Sequence, residues 1–355
     1  MQLSEFDYHL PEDRVAQHPL EDRAGSRMLV LHRGEARWED RMFRDFPSFL
    51  RPGDCLVLND SKVFPSRLYG RRAGARALPV GKRNPKRWQH LTGKAEVFLL
   101  EPLSEDEKTW RTLVHPGRKM HIGERLRFAD GFEGEVLARG EYGERTIRFD
   151  CDGDIYEHLQ QVGHVPLPPY IKREDIPEDR ERYQTVFARE TGSVAAPTAG
   201  LHFTPEILEA CRAAGAEIAW VTLHVGLGTF QPIHTDVVER HQLHPERFHL
   251  AAEDARRMAA AKRIVAAGTT SVRTVETMAA RGGFQGARGE TGLFIYPGYE
   301  FKATGAMLTN FHLPRSSLLI LVCAFAGREL VLSAYRHAVE AGYRFYSYGD
   351  CMLIL

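Results

Sequence analysis

Cysteine is scarce in this sequence, and its few copies are far apart. Cys55, Cys151, Cys211, Cys323 and Cys351 are odd in number, and no Cys-x-x-Cys occurs. This spacing argues against both a disulfide framework and a structural zinc site. We therefore expect reduced thiols that pack as small buried side chains.

Long apolar runs and an export signal are also missing. The longest apolar run, residues 318–326, has nine residues, whereas a membrane-spanning helix needs roughly 20. The N-terminal segment carries acidic residues where a signal peptide would have a basic and then an apolar stretch. The sequence thus predicts a cytoplasmic protein without a membrane association, in which residues 318–326 form a buried strand.

The chain has no net charge overall, but one segment of it is strongly basic. The 47 Lys and Arg residues balance the 47 Asp and Glu residues, so the whole chain neither requires nor excludes a polyanionic partner. Residues 61–95 contain no acid and ten basic residues, namely Lys62, Arg67, Arg71, Arg72, Arg76, Lys82, Arg83, Lys86, Arg87 and Lys94. This basic segment favours a nucleic-acid surface, with a solvated loop as the alternative.

The sequence pattern predicts an α/β fold class with an inserted β-barrel. Five short alternating segments between residues 97 and 149 are separated by turn residues, which favours a small barrel or a strongly twisted sheet. The buried strand at 54–60 matches the α/β pattern that follows residue 183. We predict a discontinuous α/β domain, residues 1–62 and 155–355, with an inserted β-barrel domain, residues 63–154, that begins with the basic segment.

Individual elements of the α/β domain are predicted from caps and breakers. Thr204 and Pro205 begin a helix that ends at Gly215, and two further helices are predicted at 252–267 and 329–341. The predicted strands are 217–225, 292–296, 318–325 and 352–355.

Two glycine-containing segments adjoin the ends of predicted elements. In GSVAAPTAGLHF, residues 192–203, small residues accompany Ser193, Thr198 and His202 just before a helix N-terminus, where free amides favour ligand binding. His224 stands at a strand end before Gly-Leu-Gly, which fails as a dinucleotide fingerprint because a third glycine and a following helix are missing. A purely structural turn remains an alternative for both segments.

Histidine is clustered, but not in a pattern typical of metal sites. Residues 224, 234, 241, 244 and 249 are all histidine, yet His-Glu-x-x-His does not occur. Neighbouring prolines and charges indicate a surface loop, so no metal is expected.

Ordered motifs along most of the chain carry a family resemblance. They are FDYHLP (6–11), GDCLVLND (53–60), YQTVFA (183–188), GSVAAPTAGLHF (192–203), TLHVGLGTFQP (222–232), GTTSVRTVE (268–276), FIYPGYEF (294–301), TNFHLP (309–314) and YRFYSYGDCMLIL (343–355). Together they resemble the S-adenosylmethionine:tRNA ribosyltransferase-isomerase family of queuosine biosynthesis.

The resemblance implies a reaction, a co-substrate and a partner. The ribosyl part of S-adenosylmethionine would be transferred to 7-aminomethyl-7-deazaguanine at the tRNA wobble position and isomerised, giving epoxyqueuosine with release of adenine and methionine. The implied partner is a tRNA anticodon stem-loop that carries this base. The implied fold is an α/β domain with an inserted β-barrel, and we expect a monomer rather than an obligate oligomer.

Candidate roles follow from that chemistry. A sulfonium acidifies the neighbouring C5′ hydrogens, so the reaction needs a base there and an acid for the departing adenine. Acid–base candidates are His202, His224, His312, Asp60 and Asp350. Cofactor or base contacts are assigned to Tyr183, Ser193, Thr198 and Arg273. Contacts with tRNA are assigned to Lys62, Arg67, Arg71, Arg72, Lys82, Arg83, Lys86 and Arg87, and base stacking to Phe203, Phe230 and Phe311.

The chain departs from the family pattern, and other functions remain open. Ser61-Lys62 replaces the usual Thr-Arg, and lysine lacks the planar fork of arginine. The segment of residues 76–92 looks longer than is typical of the family.

The alternative functions are an S-adenosylmethionine-dependent RNA methyltransferase, a non-catalytic tRNA-binding module, and a metal hydrolase built on the histidines.

Overall fold

The computed structural model describes residues 1–73, 94–226, 233 and 235–355. We number its strands and helices along the chain. The strands are β1 (Arg27–His32), β2 (Arg37–Met42), β3 (Asp54–Asn59), β4 (Ser61–Val63), β5 (Arg67–Arg72), β6 (Lys94–Pro102), β7 (Thr109–His115), β8 (Arg125–Ala129), β9 (Phe132–Arg139), β10 (Glu144–Asp150), β11 (Glu190–Ser193), β12 (Glu217–Leu223), β13 (Glu246–Leu250), β14 (Arg263–Ala267), β15 (Ala287–Thr291), β16 (Thr304–Asn310) and β17 (Cys351–Ile354).

Helices occur mainly in the second half of the chain. The α-helices are α1 (Ile155–Val162), α2 (Asp179–Arg182), α3 (Pro205–Ala213), α4 (Ala252–Ala260), α5 (Thr269–Ala280), α6 (Ser317–Ala326) and α7 (Arg328–Glu340). Short 3₁₀ segments lie at Leu3–Phe6, Glu12–Arg14, Arg23–Gly25, Phe43–Phe49, Gly117–Lys119, Thr198–His202 and Val238–Arg240.

The chain divides into two compact units. The first comprises Met1–Lys62, Pro168–Glu174 and Glu181–Leu355, and the second comprises Val63–Leu167 and Asp175–Arg180. The second unit extends past residue 154, where we placed the boundary, because α1 packs on it: the ring of Tyr156 lies 5.6 Å from that of Phe64 and 6.1 Å from that of Trp110.

The first unit is built on a nine-stranded mixed sheet. Among the described residues its strand order is β15-β13-β12-β3-β14-β16-β17-β1-β2. Strand β3 pairs in parallel with β12 and β14, and β14 pairs in parallel with β16. All six residues of β3 are buried, as expected for a central strand that is covered on both faces. The predicted α/β class is confirmed.

The cap signals at α3 operate as predicted. Thr204 Oγ1 accepts a hydrogen bond of 3.3 Å from the Ile207 amide, and Pro205 occupies the first turn.

The strand predicted at 318–325 is wrong, because these residues form α6. Ser316 caps this helix through a 3.2 Å hydrogen bond from the Leu319 amide to its hydroxyl. Seven of the ten α6 residues are buried and the other three are apolar, so the sequence has no polar face and its period cannot distinguish a helix from a strand.

Two other predictions fail around the same core, and two elements had no prediction. The helix predicted at 252–267 ends at Ala260, and its second half is strand β14. The strand predicted at 292–296 lies instead at Ala287–Thr291, which is β15. Helix α5 and strand β16 had no prediction. Ten residues of α5 are buried, including several threonines, so its polar side chains face protein and give no amphipathic signal.

The second unit contains a closed antiparallel barrel, which confirms the predicted β-barrel. Its strand order is β10-β7-β6-β5-β8-β9. Two glycines in the wall allow close packing: a Cβ at Gly70 would lie 2.7 Å from the Phe128 ring, and one at Gly134 would lie 2.9 Å from Ile147.

In the part of the chain that the structure describes, no single helix has the length and apolarity needed to cross a membrane. The bent pair α6 and α7, at 116°, passes that test only when taken together, on length and composition.

A buried carboxylate at Glu276 organises the chain before β16. Glu276 Oε1 accepts hydrogen bonds from the Thr304 amide at 2.8 Å and the Thr304 hydroxyl at 2.7 Å, and Oε2 accepts one from the Lys302 amide at 2.7 Å. The side chain is fully buried, so these charge-assisted bonds replace its hydration.

We expect Glu276→Gln to lower the free energy of unfolding by about 3 kcal/mol, because the new amide donor faces backbone donors. Urea denaturation measures this change. The exposed Glu340→Gln variant is the control and should match the wild type. Equal stability of Glu276→Gln and Glu340→Gln would contradict the assigned role.

Candidate active site

The strand directions bring the ends of many elements to one edge of the nine-stranded sheet. Strands β3, β12, β14 and β16 are parallel, so their carboxyl ends meet there. Strand β17 is antiparallel to β16 and parallel to β1, so both begin at that edge. Asp60, His224, Asn310 and Asp350 therefore lie at the carboxyl edge, where α/β proteins usually bind ligands.

Asp60 is buried at the end of β3 and is held by two partners. Its Oδ2 accepts hydrogen bonds from Arg189 Nη2 at 2.7 Å and Nε at 3.1 Å. Its Oδ1 accepts one from the Thr222 hydroxyl at 2.7 Å. The Arg189 side chain is 55% exposed and lies over the Trp220 ring at 4.8 Å. Asp60 thus fixes an accessible guanidinium at the edge.

Ser193 connects the GSVAAPTAGLHF segment to the neighbouring strands. Its hydroxyl accepts a 2.7 Å hydrogen bond from the Val225 amide and lies 3.2 Å from the Ser61 hydroxyl. Strand β11, which ends at Ser193, pairs with β4. The Ser193 hydroxyl therefore holds the chain that carries His224.

His224 has one ring nitrogen that the described residues leave unpaired. Its Nδ1 is buried and makes no hydrogen bond with any residue that the structure describes. The ring packs so closely on Gly192 that a Cβ there would lie 2.8 Å from it. Burial, and then Arg247, lowers the pKa of His224 to about 4, and Asp60 acts in the opposite direction. The imidazole is neutral at pH 7.

His202 is enclosed by protein on both sides of its ring. Its Nδ1 lies 2.9 Å from the Ser26 hydroxyl, and its Nε2 lies 3.2 Å from Asn310 Nδ2. Asn310 Nδ2 also donates to the Tyr346 carbonyl at 3.2 Å, so His202 Nε2 accepts and Nδ1–H donates to Ser26. Burial lowers the pKa of His202 to about 3.

His312 and Asp350 also have partners inside the protein. His312 Nε2 lies 2.7 Å from the Thr309 hydroxyl, and burial lowers its pKa to about 3. Asp350 accepts hydrogen bonds from the amides of Arg27 at 2.9 Å and Arg344 at 2.8 Å. Burial raises the pKa of Asp350 despite these bonds.

The residues predicted to contact the cofactor are dispersed in the first unit. Tyr183 is fully buried, and burial raises its pKa. Thr198 begins a 3₁₀ turn. Arg273 is buried in α5 and forms an ion pair with Glu246, whose other oxygen accepts a 2.9 Å hydrogen bond from the Gly226 amide.

The basic segment is partly neutralised by acids that are distant in sequence. Arg72 forms two hydrogen bonds of 2.8 Å with the buried Glu124, and Arg67 forms an ion pair of 3.2 Å with Glu96. Lys62 and Arg71 are exposed. Lys82, Arg83, Lys86 and Arg87 lie outside the described residues.

Two of the three aromatic residues that we expected to stack on a base are buried. Phe203 and Phe311 are fully buried and pack in apolar clusters, which gives neither ring a face for a base in this structure. Phe230 lies outside the described residues.

Among the residues that are described, no group of three or more His, Cys, Asp or Glu is arranged to hold a metal. All five cysteines are buried and unpaired, as expected.

A large cleft in the first unit was missed by the sequence analysis. Its volume is about 1040 Å³, at the upper end of the usual range for small-molecule sites. Three tyrosine rings and short apolar side chains form much of its wall, with charged groups at its rim. The lining residues are Asp7, Tyr8, His9, Leu10, Glu12, Val15, Gln17, Tyr170, Lys172, Leu313, Pro314 and Tyr346.

This cleft is built from motifs that the sequence analysis had noted only for the resemblance. FDYHLP supplies Tyr8, TNFHLP supplies Leu313 and Pro314, and the C-terminal motif supplies Tyr346. The signal that could have found it is the density of polar aromatic residues in these motifs. Their convergence depends on β16 and on the loop before β17, which the sequence did not place together.

Comparisons with known proteins agree with this architecture. A family model described as "Queuosine biosynthesis protein" matches residues 3–354. An S-adenosylmethionine:tRNA ribosyltransferase-isomerase of Solibacter usitatus (strain Ellin6076) is 66% identical over 355 residues, with 100% of each chain covered. The protein of that name from Symbiobacterium thermophilum is 49% identical, again with 100% of each chain covered.

A solved structure extends the similarity to the fold. The crystal structure of S-adenosylmethionine tRNA ribosyltransferase from Thermotoga maritima, at 2.00 Å resolution, is 38% identical to this chain. The match covers 99% of this chain and 100% of that chain, with a TM-score of 0.54.

The fold and the site define an α/β protein that has a closed barrel in its second unit and a candidate ligand cleft in its first. The chain belongs to the queuosine biosynthesis protein family, whose model it matches over residues 3–354. The resemblance drawn from the ordered motifs is therefore confirmed.

The buried histidines predict how stability depends on pH. The pKa of His202 is about 3 in the folded protein and 6.5 ordinarily, so between these values the unfolded chain binds more protons. The free energy of unfolding therefore falls as the pH falls from 6.5 towards 3, by up to about 1.4 kcal/mol per pH unit for one group.

We expect His202→Gln to flatten this dependence by removing one such group, as measured by urea denaturation between pH 7 and pH 4.5. His312→Gln, which removes the other histidine with a pKa of about 3, should have a similar effect. A wild-type slope in both variants would contradict this account.

Proposed function

We propose that this chain transfers and isomerises the ribosyl moiety of S-adenosylmethionine onto 7-aminomethyl-7-deazaguanine at the wobble position of tRNA. The product is epoxyqueuosine in tRNA, and adenine and methionine are released. Family membership over residues 3–354 and relatives that bear this enzyme's name support the reaction. The observation that carries its location is the neutral imidazole of His224 at the carboxyl edge.

His224 is the proposed base for the C5′ proton. The sulfonium makes this hydrogen acidic, and the unbonded Nδ1 of a neutral imidazole can accept it. Proton transfer would create an imidazolium. Asp60 favours that charged form, since it raises the pKa of His224 against the effect of burial. Deprotonation at C5′ and departure of adenine then open the ribose to attack by the aminomethyl group.

Asp60 is proposed to orient Arg189 as well as to support His224. A guanidinium that is half exposed and held by a buried carboxylate has free donors for an anionic substrate group. A tRNA phosphate or the carboxylate of the methionine moiety has the required chemistry.

His202, His312 and Asp350 are proposed as positioning residues. Their hydrogen bonds to Ser26, Thr309 and two backbone amides support this role. Ser193 is likewise proposed to position β12, while Tyr183, Thr198 and Arg273 remain proposed contacts of the cofactor or base.

The tRNA partner is proposed to bind through its anticodon stem-loop, with contacts to exposed cations that include Lys62 and Arg71. Arg72 is proposed to stabilise the barrel instead, because its guanidinium is paired with the buried Glu124. We further propose a monomer that works in the cytoplasm without a metal.

We expect His224→Gln to lower the turnover number by about 10²-fold or more, the usual contribution of a general base. Adenine and methionine released from S-adenosylmethionine are measured with substrate tRNA. His32→Gln is the matched control, because β1 runs away from the carboxyl edge and places His32 at the opposite edge. It should retain wild-type turnover.

Methyl-labelled S-adenosylmethionine separates the reaction from methylation. The label should leave as methionine and should not remain on the tRNA. Label retained on tRNA would contradict ribosyl transfer, and wild-type turnover by His224→Gln would contradict the assigned base.

We expect Arg71→Gln to weaken tRNA binding and to reduce its salt dependence. Loss of one phosphate contact should lower the slope of log K against log salt by about 0.7 to 0.9. Filter binding from 50 to 200 mM salt, about the range over which such contacts are resolved, measures the slope. Arg256→Gln, an exposed arginine on α4, is the control. An unchanged slope in Arg71→Gln would exclude this residue from the interface.

A further inference from the structure

The three tyrosines of the cleft differ in what their hydroxyls bind. The Tyr8 hydroxyl donates to the His312 carbonyl at 2.5 Å, and the Tyr170 hydroxyl lies 2.6 Å from that of Ser347. The Tyr346 hydroxyl is buried and has no hydrogen-bond partner among the described residues. A buried unpaired hydroxyl is unfavourable in the free protein, and a ligand in the cleft would provide the missing partner.

The rest of the cleft wall suits a planar ring. The rings of Tyr346 and Tyr170 lie 4.5 Å apart at an angle of 31°. Leu10, Leu313 and Pro314 supply apolar surface nearby. A purine is planar and apolar on its faces, and it has hydrogen-bond acceptors at its edge.

Most other polar groups of the cleft are already engaged. Arg315 Nε donates to Asp7 at 2.9 Å, and Lys172 Nζ donates to Glu12 at 3.0 Å. Gln17 accepts from the Lys172 amide at 2.7 Å. Among the three described tyrosines of the cleft, Tyr346 is the one whose buried hydroxyl has no hydrogen-bond partner.

Tyr346 is also held in an unusual backbone conformation. Its φ is +70°, a region that non-glycine residues rarely adopt. The conformation is fixed by hydrogen bonds to β16 and its end, from Asn310 Nδ2 to the Tyr346 carbonyl at 3.2 Å and from the Tyr346 amide to the Phe311 carbonyl at 3.2 Å. The ring is thereby aimed at the cleft from a rigid support.

We propose that the cleft is the adenine subsite for S-adenosylmethionine and that the Tyr346 hydroxyl donates a hydrogen bond to the adenine ring. This inference rests on the proposed function and adds the residue that binds the leaving group. Burial raises the pKa of Tyr346, so the hydroxyl keeps its proton and remains a donor.

The cleft and His224 lie along the same carboxyl edge of the sheet. Strand β16, beside the cleft, is separated from β12 by β14 and β3, so the two strand ends lie about 14 Å apart at the usual spacing. An adenine held in the cleft leaves the ribose and sulfonium free to extend along the carboxyl edge towards His224.

Tyr346→Phe tests the proposal by removing only the hydroxyl. We expect this variant to bind S-adenosylmethionine about tenfold more weakly, which is the effect of losing one hydrogen bond worth about 1.4 kcal/mol. Calorimetry in the absence of tRNA measures the dissociation constant. Its binding of substrate tRNA should be unchanged, and the thermal midpoint of the free protein should be equal or higher.

Two tyrosine variants serve as controls. Tyr142→Phe changes a tyrosine that is 98% exposed in the second unit and should behave as the wild type. Tyr8→Phe removes a hydroxyl that is bonded to protein and should lower the thermal midpoint.

Wild-type affinity for S-adenosylmethionine in Tyr346→Phe would overturn the proposal. A loss of tRNA affinity instead of S-adenosylmethionine affinity would also overturn it, because the cleft would then hold the wobble base. A thermal midpoint of Tyr346→Phe lowered as far as that of Tyr8→Phe would overturn it as well. Failure of the wild type to release adenine from S-adenosylmethionine in the presence of substrate tRNA would instead contradict the proposed function.

Discussion

The hydrogen bonds at the end of β3 are the constraint on which the site depends. Asn59 Oδ1 accepts from the amides of Ser61 and Leu223, both at 3.1 Å, and its Nδ2 donates to the Leu223 carbonyl at 3.0 Å. Asp60 then binds Arg189 and Thr222 through its side chain. Two consecutive polar residues thus hold the ends of β3 and β12 in register, and this places His224 beside Asp60.

A second set of polar contacts makes the other half of the edge rigid. Asn310 at the end of β16 bonds to the His202 ring and to the Tyr346 carbonyl, while Asp350 bonds to the amides of Arg27 and Arg344. These groups are buried and bonded to protein, although Asn310 Oδ1 has no hydrogen-bond partner among the described residues. The same contacts set the unusual backbone of Tyr346. The edge therefore combines the rings of His202 and His312, which are bonded to protein, with two rings, those of His224 and Tyr346, that each keep an unpaired buried atom.

The sequence predicted those parts of the fold whose residues alternate between buried and exposed positions or carry local caps. The barrel strands and α3 belong to this class, because turn glycines, Thr204 and Pro205 act within a few residues. Helix α6 and strand β14 were misassigned because most of their residues are buried, and their length and period then favour neither state. The ion pair between Arg72 and Glu124 was invisible, since its partners are distant in the chain.

The site was predictable in its segments but less so in its roles. The sequence marked Asp60 and His224 as candidates, and the parallel pairing of β3 and β12 brings them to one edge, where α/β sheets usually bind ligands. The sequence could not show that the rings of His202 and His312 are occupied by protein partners. It also could not show that FDYHLP, in an irregular N-terminal segment, meets the chain before β17 and forms a cleft.

The central claim is that the reaction takes place along the carboxyl edge between the aromatic cleft and His224. A crystal structure of the wild-type protein with bound S-adenosylmethionine tests it most directly. The account predicts adenine against Tyr346 and Tyr170, with the ribose directed along the strand ends towards His224. S-adenosylmethionine bound in the β-barrel unit, or with its ribose directed away from the carboxyl edge, would contradict it.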